Sequence, residues 1–144
     1  MNRFLTTKAL SIFFLPLIFA FSVYAEKPCK DLTGETGYFP NETILSGEKK
    51  REYILYVPTN YLSNTPTPLV FNLHGLGSEP SAHYRYTKMN ELADKHTFAL
   101  VTPKAIGGWD DSPSSYDVKF VSDIIDKLSE KYWYRSLVLA RSKI

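Results

Sequence analysis

The sequence has one cysteine and no basic cluster long enough to bind a polyanion. Cys29 cannot form a disulfide within the chain, so it is either a free thiol or the partner of a cysteine outside these 144 residues. Residues 1–25 hold two of the 17 basic side chains and none of the 15 acidic ones, which leaves 15 of each sign. The longest basic run, residues 49–51, is expected to lie in a solvated turn. This balance excludes the electrostatic footprint of a nucleic-acid-binding protein.

The N-terminus has the pattern of a secretory signal peptide. Two basic residues precede an uncharged, mainly apolar stretch over residues 9–25, and Val23 and Ala25 provide the small residues that signal peptidase requires before its cleavage site. An uncleaved membrane anchor is the alternative, but a spanning helix needs about 20 apolar residues, and this stretch is shorter and contains Pro16. We therefore predict a signal peptide over residues 1–25, export to the periplasm or the medium, and no stable membrane anchor.

After a polar segment over residues 26–42, the sequence has the pattern of an α/β protein. Short apolar runs rich in β-branched and aromatic residues alternate with stretches that have apolar residues at helical spacing. The pattern predicts a hairpin over 43–57, buried strands over 69–73, 98–102 and 137–140, and helices over 81–96 and 118–128. In this order the helices are right-handed crossovers between parallel strands.

The ligand-binding loops of such a sheet follow the carboxyl ends of its parallel strands. Two loops meet this condition, over residues 74–81 and 104–116. Ser115 or Asp117 is suited to cap the second helix, because a short oxygen-bearing side chain accepts hydrogen bonds from the amides of the first turn. His83 is expected to lie at the surface, near the end of the first helix.

Five segments follow one another in a fixed order: Tyr53-Ile-Leu-Tyr-Val-Pro58, Pro68-Leu-Val-Phe-Asn-Leu-His-Gly75, Asn90-Glu-Leu-Ala-Asp-Lys-His96, Val101-Thr-Pro103 and Asp117-Val-Lys-Phe-Val-Ser-Asp-Ile-Ile-Asp126. This succession resembles the secreted polyhydroxybutyrate depolymerase and feruloyl esterase group of the α/β-hydrolase superfamily, over about residues 45–133. The resemblance implies an incomplete α/β-hydrolase domain over residues 43–144, which ends at the strand before the nucleophile elbow. It also implies ester hydrolysis by a Ser, Asp and His triad.

The turn over residues 74–77 lies where this superfamily places its oxyanion loop. The loop consists of His74, Gly75, Leu76 and Gly77. The resemblance implies that the amide of Leu76, and next that of Gly77, binds the oxyanion, and that His74 braces the turn rather than acting as the triad base. An ordinary strand-to-helix turn is the alternative. Trp109 is predicted either to face a substrate or to pack within its own loop.

The sequence contains no Gly-x-Ser-x-Gly motif, in which the family's nucleophile would lie. None of four candidate serines has the strained, glycine-flanked turn that an activated nucleophile needs; they are Ser78, Ser81, Ser114 and Ser122. The aspartates at 110, 111 and 117 lack the alternating spacing of a calcium loop. We therefore expect no catalytic triad residue, no metal site and no cofactor in this chain.

The predicted function is that of an N-terminal part of a secreted serine carboxylic ester hydrolase. Its substrate would be a polyester or a feruloylated or acetylated polysaccharide, and the 144 residues alone are expected to be inactive. Two alternatives stay open. One is a non-catalytic secreted binding module on the same scaffold, and the other is a truncated α/β-hydrolase of another type, such as a peptidase or a dienelactone-hydrolase relative.

Overall fold

The structure is a computed structural model that describes Leu32 and residues 34–141. Cys29 and the predicted signal peptide over residues 1–25 lie outside the described residues. In chain order the elements are β1 (Gly37–Ser46), β2 (Lys49–Val57), β3 (Thr67–Leu73), α1 (Pro80–Thr87), α2 (Met89–His96), β4 (Ala99–Pro103), α3 (Tyr116–Ser129) and β5 (Tyr134–Arg141).

The strands form one sheet with the order β1-β2-β4-β3-β5. β2 pairs antiparallel with both β1 and β4, whereas β3 pairs parallel with β4 and β5. The turn between β1 and β2 has two residues, Gly47 and Glu48, both with positive φ, which is the backbone geometry of a type I′ hairpin. The predicted hairpin and the buried strands predicted over 69–73 and 98–102 are confirmed, a strand is also present over 137–140, and the fold class is α/β.

Helices cover both faces of the sheet. Alternate side chains of β2, β3 and β4 pack against α3, which contributes Phe120, Ile124 and Leu128 to this core. Burying one such side chain fully contributes about 1.5–3 kcal/mol to folding. On the other face, α1 and α2 meet the sheet through polar contacts as well, such as the hydrogen bond from the Tyr56 hydroxyl to Asp94 Oδ1 at 2.7 Å.

The single helix predicted over residues 81–96 is wrong, because the chain forms two helices there. Lys88 separates them with a left-handed backbone, φ 49°, and its amide donates to the Tyr84 carbonyl as the first helix ends. A non-glycine residue in this conformation stops a right-handed helix and costs about 1–2 kcal/mol locally. The buried residues of α1 are Pro80 and His83, whereas Tyr86, which the single-helix pattern places on the apolar face, is 79% exposed.

The first strand begins within the polar segment predicted over residues 26–42. β1 starts at Gly37, and its pairing with β2 shifts register between Phe39 and Glu42. β1 lies at an edge of the sheet, so several of its side chains are exposed and polar. The register shift breaks the alternation of buried and exposed residues on which a sequence-based strand assignment depends.

Candidate functional site

The two loops that follow β3 and β4 meet at one edge of the sheet. β3 and β4 are parallel neighbours, with Leu69 opposite Ala99 and Phe71 opposite Val101. Their carboxyl ends therefore lie side by side, as in other parallel α/β sheets. The sequence-predicted loops over residues 74–81 and 104–116 contact each other there, and these contacts define the candidate site.

A tight turn follows β3. The Ser78 amide donates to the Gly75 carbonyl at 3.1 Å, and Gly77, the third residue of the turn, has φ +73°. A positive φ at this position is typical of a type II turn and favours glycine. A Cβ on Gly77 would meet no atom within 4 Å, so backbone conformation rather than crowding selects the glycine. The turn projects outward, and the Leu76 side chain is 86% exposed.

The turn leaves two backbone donors unused. Within the described residues, the amides of Leu76 and Gly77 donate no hydrogen bond to another protein atom. Two neighbouring amides of this kind, placed at the carboxyl edge of a sheet, are suited to bind a developing negative charge on an oxygen atom. Their availability is the main chemical feature of the edge.

His74 is buried directly behind this turn, and both of its ring nitrogens contact the backbone. The Ala105 amide donates to Nε2 at 3.1 Å, so Nε2 is an acceptor and the ring proton is on Nδ1. Nδ1 lies 2.9 Å from the Gly75 carbonyl oxygen, to which it donates. Because a general base needs a free nitrogen facing the nucleophile, this arrangement suits a bracing role for His74 and not that of a triad base.

Trp109 packs on the same turn from the second loop. Its Nε1 donates to the His74 carbonyl at 2.8 Å, and the two ring centroids are 5.4 Å apart. The indole is therefore part of the contact between the loops. The possibility that Trp109 also faces a substrate stays a prediction.

The second loop ends at α3, where the structure distinguishes the two cap candidates. The Ser115 hydroxyl oxygen accepts from the Val118 amide at 3.1 Å and donates to the Asp110 carbonyl at 2.6 Å. Ser115 is thus the N-cap of α3 and also closes the loop. Asp117, the other candidate, instead forms an ion pair with Arg51 at 2.8 Å.

A buried polar chain beneath the turn was not predicted from the sequence. His83 is 3% exposed rather than at the surface, and its Nε2 lies 2.8 Å from Asn72 Oδ1. Asn72 Nδ2 donates in turn to the Thr87 hydroxyl at 3.0 Å. Burial lowers the pKa of His83. The prediction for His83 is wrong because α1 begins at Pro80 and turns His83 toward the sheet; the available signal was a polar Asn72 inside a buried apolar run.

A cavity between β1, β2 and α3 lies away from this edge. This cavity of about 330 Å³ is lined by residues of β1, β2 and α3 and by the segments next to them, and none of its lining residues belongs to the two loops. Among the described residues, no group of three or more His, Cys, Asp or Glu side chains is arranged to hold a metal ion. Over the same residues, no helix has the length and apolar character needed to cross a membrane.

The chain is similar in sequence to part of a known bifunctional hydrolase. No protein-family model matches it. It is 33% identical over 85 residues to the bifunctional acetylxylan esterase/xylanase XynS20E of Neocallimastix patriciarum, and the match covers 57% of this chain and 12% of that protein.

Solved structures of hydrolases share the arrangement of strands and helices. The S-formylglutathione hydrolase FrmB and the fluorophosphonate-binding serine hydrolase FphF, both of Staphylococcus aureus, match with TM-scores of 0.58 and 0.56 at 16% and 18% identity. A ferulic acid esterase matches with a TM-score of 0.58 at 18% identity. The chain has the α/β-hydrolase fold.

This α/β-hydrolase fold is partial relative to those structures. The matches cover 75%, 75% and 74% of this chain and 48%, 48% and 51% of the three solved chains. The chain therefore spans about half the length of the solved α/β-hydrolases and 12% of the curated relative. The finer resemblance to polyhydroxybutyrate depolymerases stays a prediction.

Proposed function

We propose that this chain is an N-terminal part of an exported serine carboxylic ester hydrolase, in which the turn after β3 provides the oxyanion amides. The observation that carries the proposal is the pair of unused amides of Leu76 and Gly77 at the carboxyl edge of the sheet. Attack on an ester carbonyl places negative charge on its oxygen, and loss of one amide-type donor costs about 10²–10³ in kcat. His74 holds the carbonyl side of the turn in place through its contact with the Gly75 carbonyl.

The names of the similar proteins support a class of substrate. The curated relative is a bifunctional acetylxylan esterase/xylanase, and one structural neighbour is a ferulic acid esterase. We therefore propose acetyl or feruloyl esters on a polysaccharide as the substrate class, with a polyester as the alternative. An exported location, after cleavage of the signal peptide at Ala25, fits a polymeric substrate that does not enter the cell.

The nucleophile is proposed to lie outside these 144 residues. The sequence contains no Gly-x-Ser-x-Gly motif, and Ser78 is held in the turn with its amide bound to the Gly75 carbonyl rather than in a strained elbow. Removing triad members costs orders of magnitude in rate, because only the oxyanion amides and substrate binding remain. We therefore expect the 144 residues to hydrolyse no ester on their own.

A fluorophosphonate–biotin probe, which reacts with the activated serine of serine hydrolases, tests this proposal. Applied to the medium and periplasm of the organism that makes the chain, it should capture a polypeptide that contains peptides of this sequence, begins at Glu26 and continues past residue 144. The captured protein should release acetate or ferulate from xylan esters. Recovery of these peptides only in the unlabelled fraction would contradict the hydrolase and favour a non-catalytic binding module.

The recombinant 144-residue chain is the matched control. It should remain unlabelled by the probe and should not hydrolyse p-nitrophenyl acetate faster than buffer does. Turnover that a single Ser→Ala substitution abolishes would show that the nucleophile lies within the chain after all.

A further inference from the structure

A largely buried ion pair links the first hairpin to α3 and to the second loop of the candidate site. Arg51, on β2, is 3% exposed, and its Nη2 donates to Asp117 Oδ1 at 2.8 Å and to the Lys104 carbonyl at 3.0 Å. Its guanidinium also lies 4.0 Å from the centre of the Phe120 ring. One side chain of β2 therefore contacts the first residue after β4 and the first turn of α3.

The second oxygen of the aspartate extends this connection. Asp117 Oδ2 accepts from the Asp110 amide at 3.0 Å. The ion pair thus fixes two backbone points of the loop over residues 104–116, namely the carbonyl of Lys104 and the amide of Asp110. These two points flank residues 105–109, and the first and last residues of that segment contact His74.

Each fixed point is next in sequence to a residue that holds His74. Ala105, which follows Lys104, donates its amide to His74 Nε2. Trp109, which precedes Asp110, donates its indole N–H to the His74 carbonyl. Both second-loop residues that contact His74 are therefore direct sequence neighbours of a residue whose backbone is bound by Arg51 or Asp117.

The pair is not arranged for the greatest stability. Arg51 Nε is buried and has no hydrogen-bond partner among the described residues. Removing two charges from water costs several kcal/mol per ion, and the interaction of a buried pair often does no more than offset that cost. The placement of the guanidinium therefore fits a role in fixing geometry better than a role in stabilising the fold.

We propose that Arg51 and Asp117 are positioning residues for the turn after β3. They fix the loop over residues 104–116, and through Ala105 and Trp109 this loop holds His74 in its Nδ1–H tautomer behind the turn. The identification of the turn as an oxyanion site rests on the proposed function, but the positioning itself does not.

The His74 ring nitrogens and the Trp109 indole provide a direct readout by ¹⁵N NMR of the 144-residue chain. In the wild type, one His74 nitrogen should give the signal of a protonated nitrogen and the other that of an acceptor. Asp117→Ala should remove the Asp110 contact and one partner of Arg51, so both His74 signals should move toward averaged values and the indole N–H signal should shift. Asp117→Asn, which keeps the size of the side chain, should produce the same shifts to a smaller extent.

Lys119→Ala is the matched control on the same helix. The Lys119 side chain forms an exposed ion pair with Asp123 at 2.8 Å. Lys119 contacts the loop through its backbone, because its amide donates to the Ser115 carbonyl, and an alanine keeps this hydrogen bond. This variant should leave the His74 and Trp109 signals unchanged. If Asp117→Asn or Asp117→Ala lowers the free energy of unfolding while the His74 and indole signals keep their wild-type positions, the pair is only structural and the proposal is refuted.

This readout requires no enzymatic activity. Failure of the fluorophosphonate capture would overturn the proposed function and leave the positioning intact. Unchanged His74 signals would overturn the positioning and leave the proposed function intact.

Discussion

The hydrogen bond between Asn72 and His83 allows a sharp test of how the turn is supported. Thr87 Oγ1 lies 3.4 Å from the Tyr84 carbonyl, to which its hydroxyl donates, so it accepts from Asn72 Nδ2. Asn72 Oδ1 therefore faces His83, whose Nε2 carries the proton and donates. The bond joins β3, just before the candidate site, to α1, just after it.

The expected energies follow from the burial of both groups. Asn72 is 2% exposed and His83 is 3% exposed, so removing either partner leaves a buried polar atom without a hydrogen bond. Such an atom costs about 1–3 kcal/mol, whereas replacing both partners with apolar side chains of similar shape is close to neutral. Asn72→Leu and His83→Leu should each destabilise the chain by about 1–3 kcal/mol, and the double variant should be more stable than the sum of the two effects implies.

The coupling between Asn72 and His83 is measured by urea unfolding of the wild type, the two single variants and the double variant, followed by far-UV circular dichroism. The measurement is made at about pH 8, because a histidine is neutral in the unfolded chain at that pH. The coupling free energy from the double-mutant cycle should be about 1–3 kcal/mol. If the two destabilisations simply add, Asn72 and His83 do not depend on each other, and the bonded arrangement is wrong.

Three further outcomes are expected. Burial lowers the pKa of His83 in the folded chain. His83 therefore contributes stability that is fully present above its unfolded pKa of about 6.5 and is lost as the pH falls below that value. Urea midpoints measured against pH should show this loss, and the His83→Gln variant should lack it. Gly77→Ala should cost about 1–2 kcal/mol, because an alanine at φ +73° is strained even where its Cβ has space. Phe120→Ala should cost about 3–5 kcal/mol, whereas Val118→Ala, on the exposed side of α3, should change the free energy of unfolding by no more than about 0.5 kcal/mol.

The elements that the sequence predicted best are those whose pattern arises from burial. β3 and β4 are apolar on both faces because helices cover the sheet on both sides, and the α3 pattern reflects its contact with one face. The break between α1 and α2 could not be found in this way. Lys88 is an ordinary helix-forming residue by propensity, and only the positions of its neighbours in the folded chain place it in a left-handed conformation.

The position of the candidate site could be predicted, but the contacts that hold its two loops together could not. Glycines directly after a buried strand indicate a tight turn, and the structure has this turn at Gly75–Ser78. The sequence left Trp109 with two possible roles, because the contact with His74 joins residues 35 positions apart. No local pattern reports a hydrogen bond between two loops.

The burial of Arg51 is one feature of the contacts behind the candidate site that the sequence pattern could have predicted. Residues 49–51 were expected in a solvated turn, which is wrong for Arg51, because β2 begins at Lys49 and its alternation places Arg51 on the same face as Tyr53, Leu55 and Val57. A charged side chain on a core-facing position of a strand needs a charged partner, since an isolated buried charge is too costly. The alternation alone therefore predicts a carboxylate opposite Arg51, while the choice of Asp117, 66 residues away, depends on how α3 crosses the sheet.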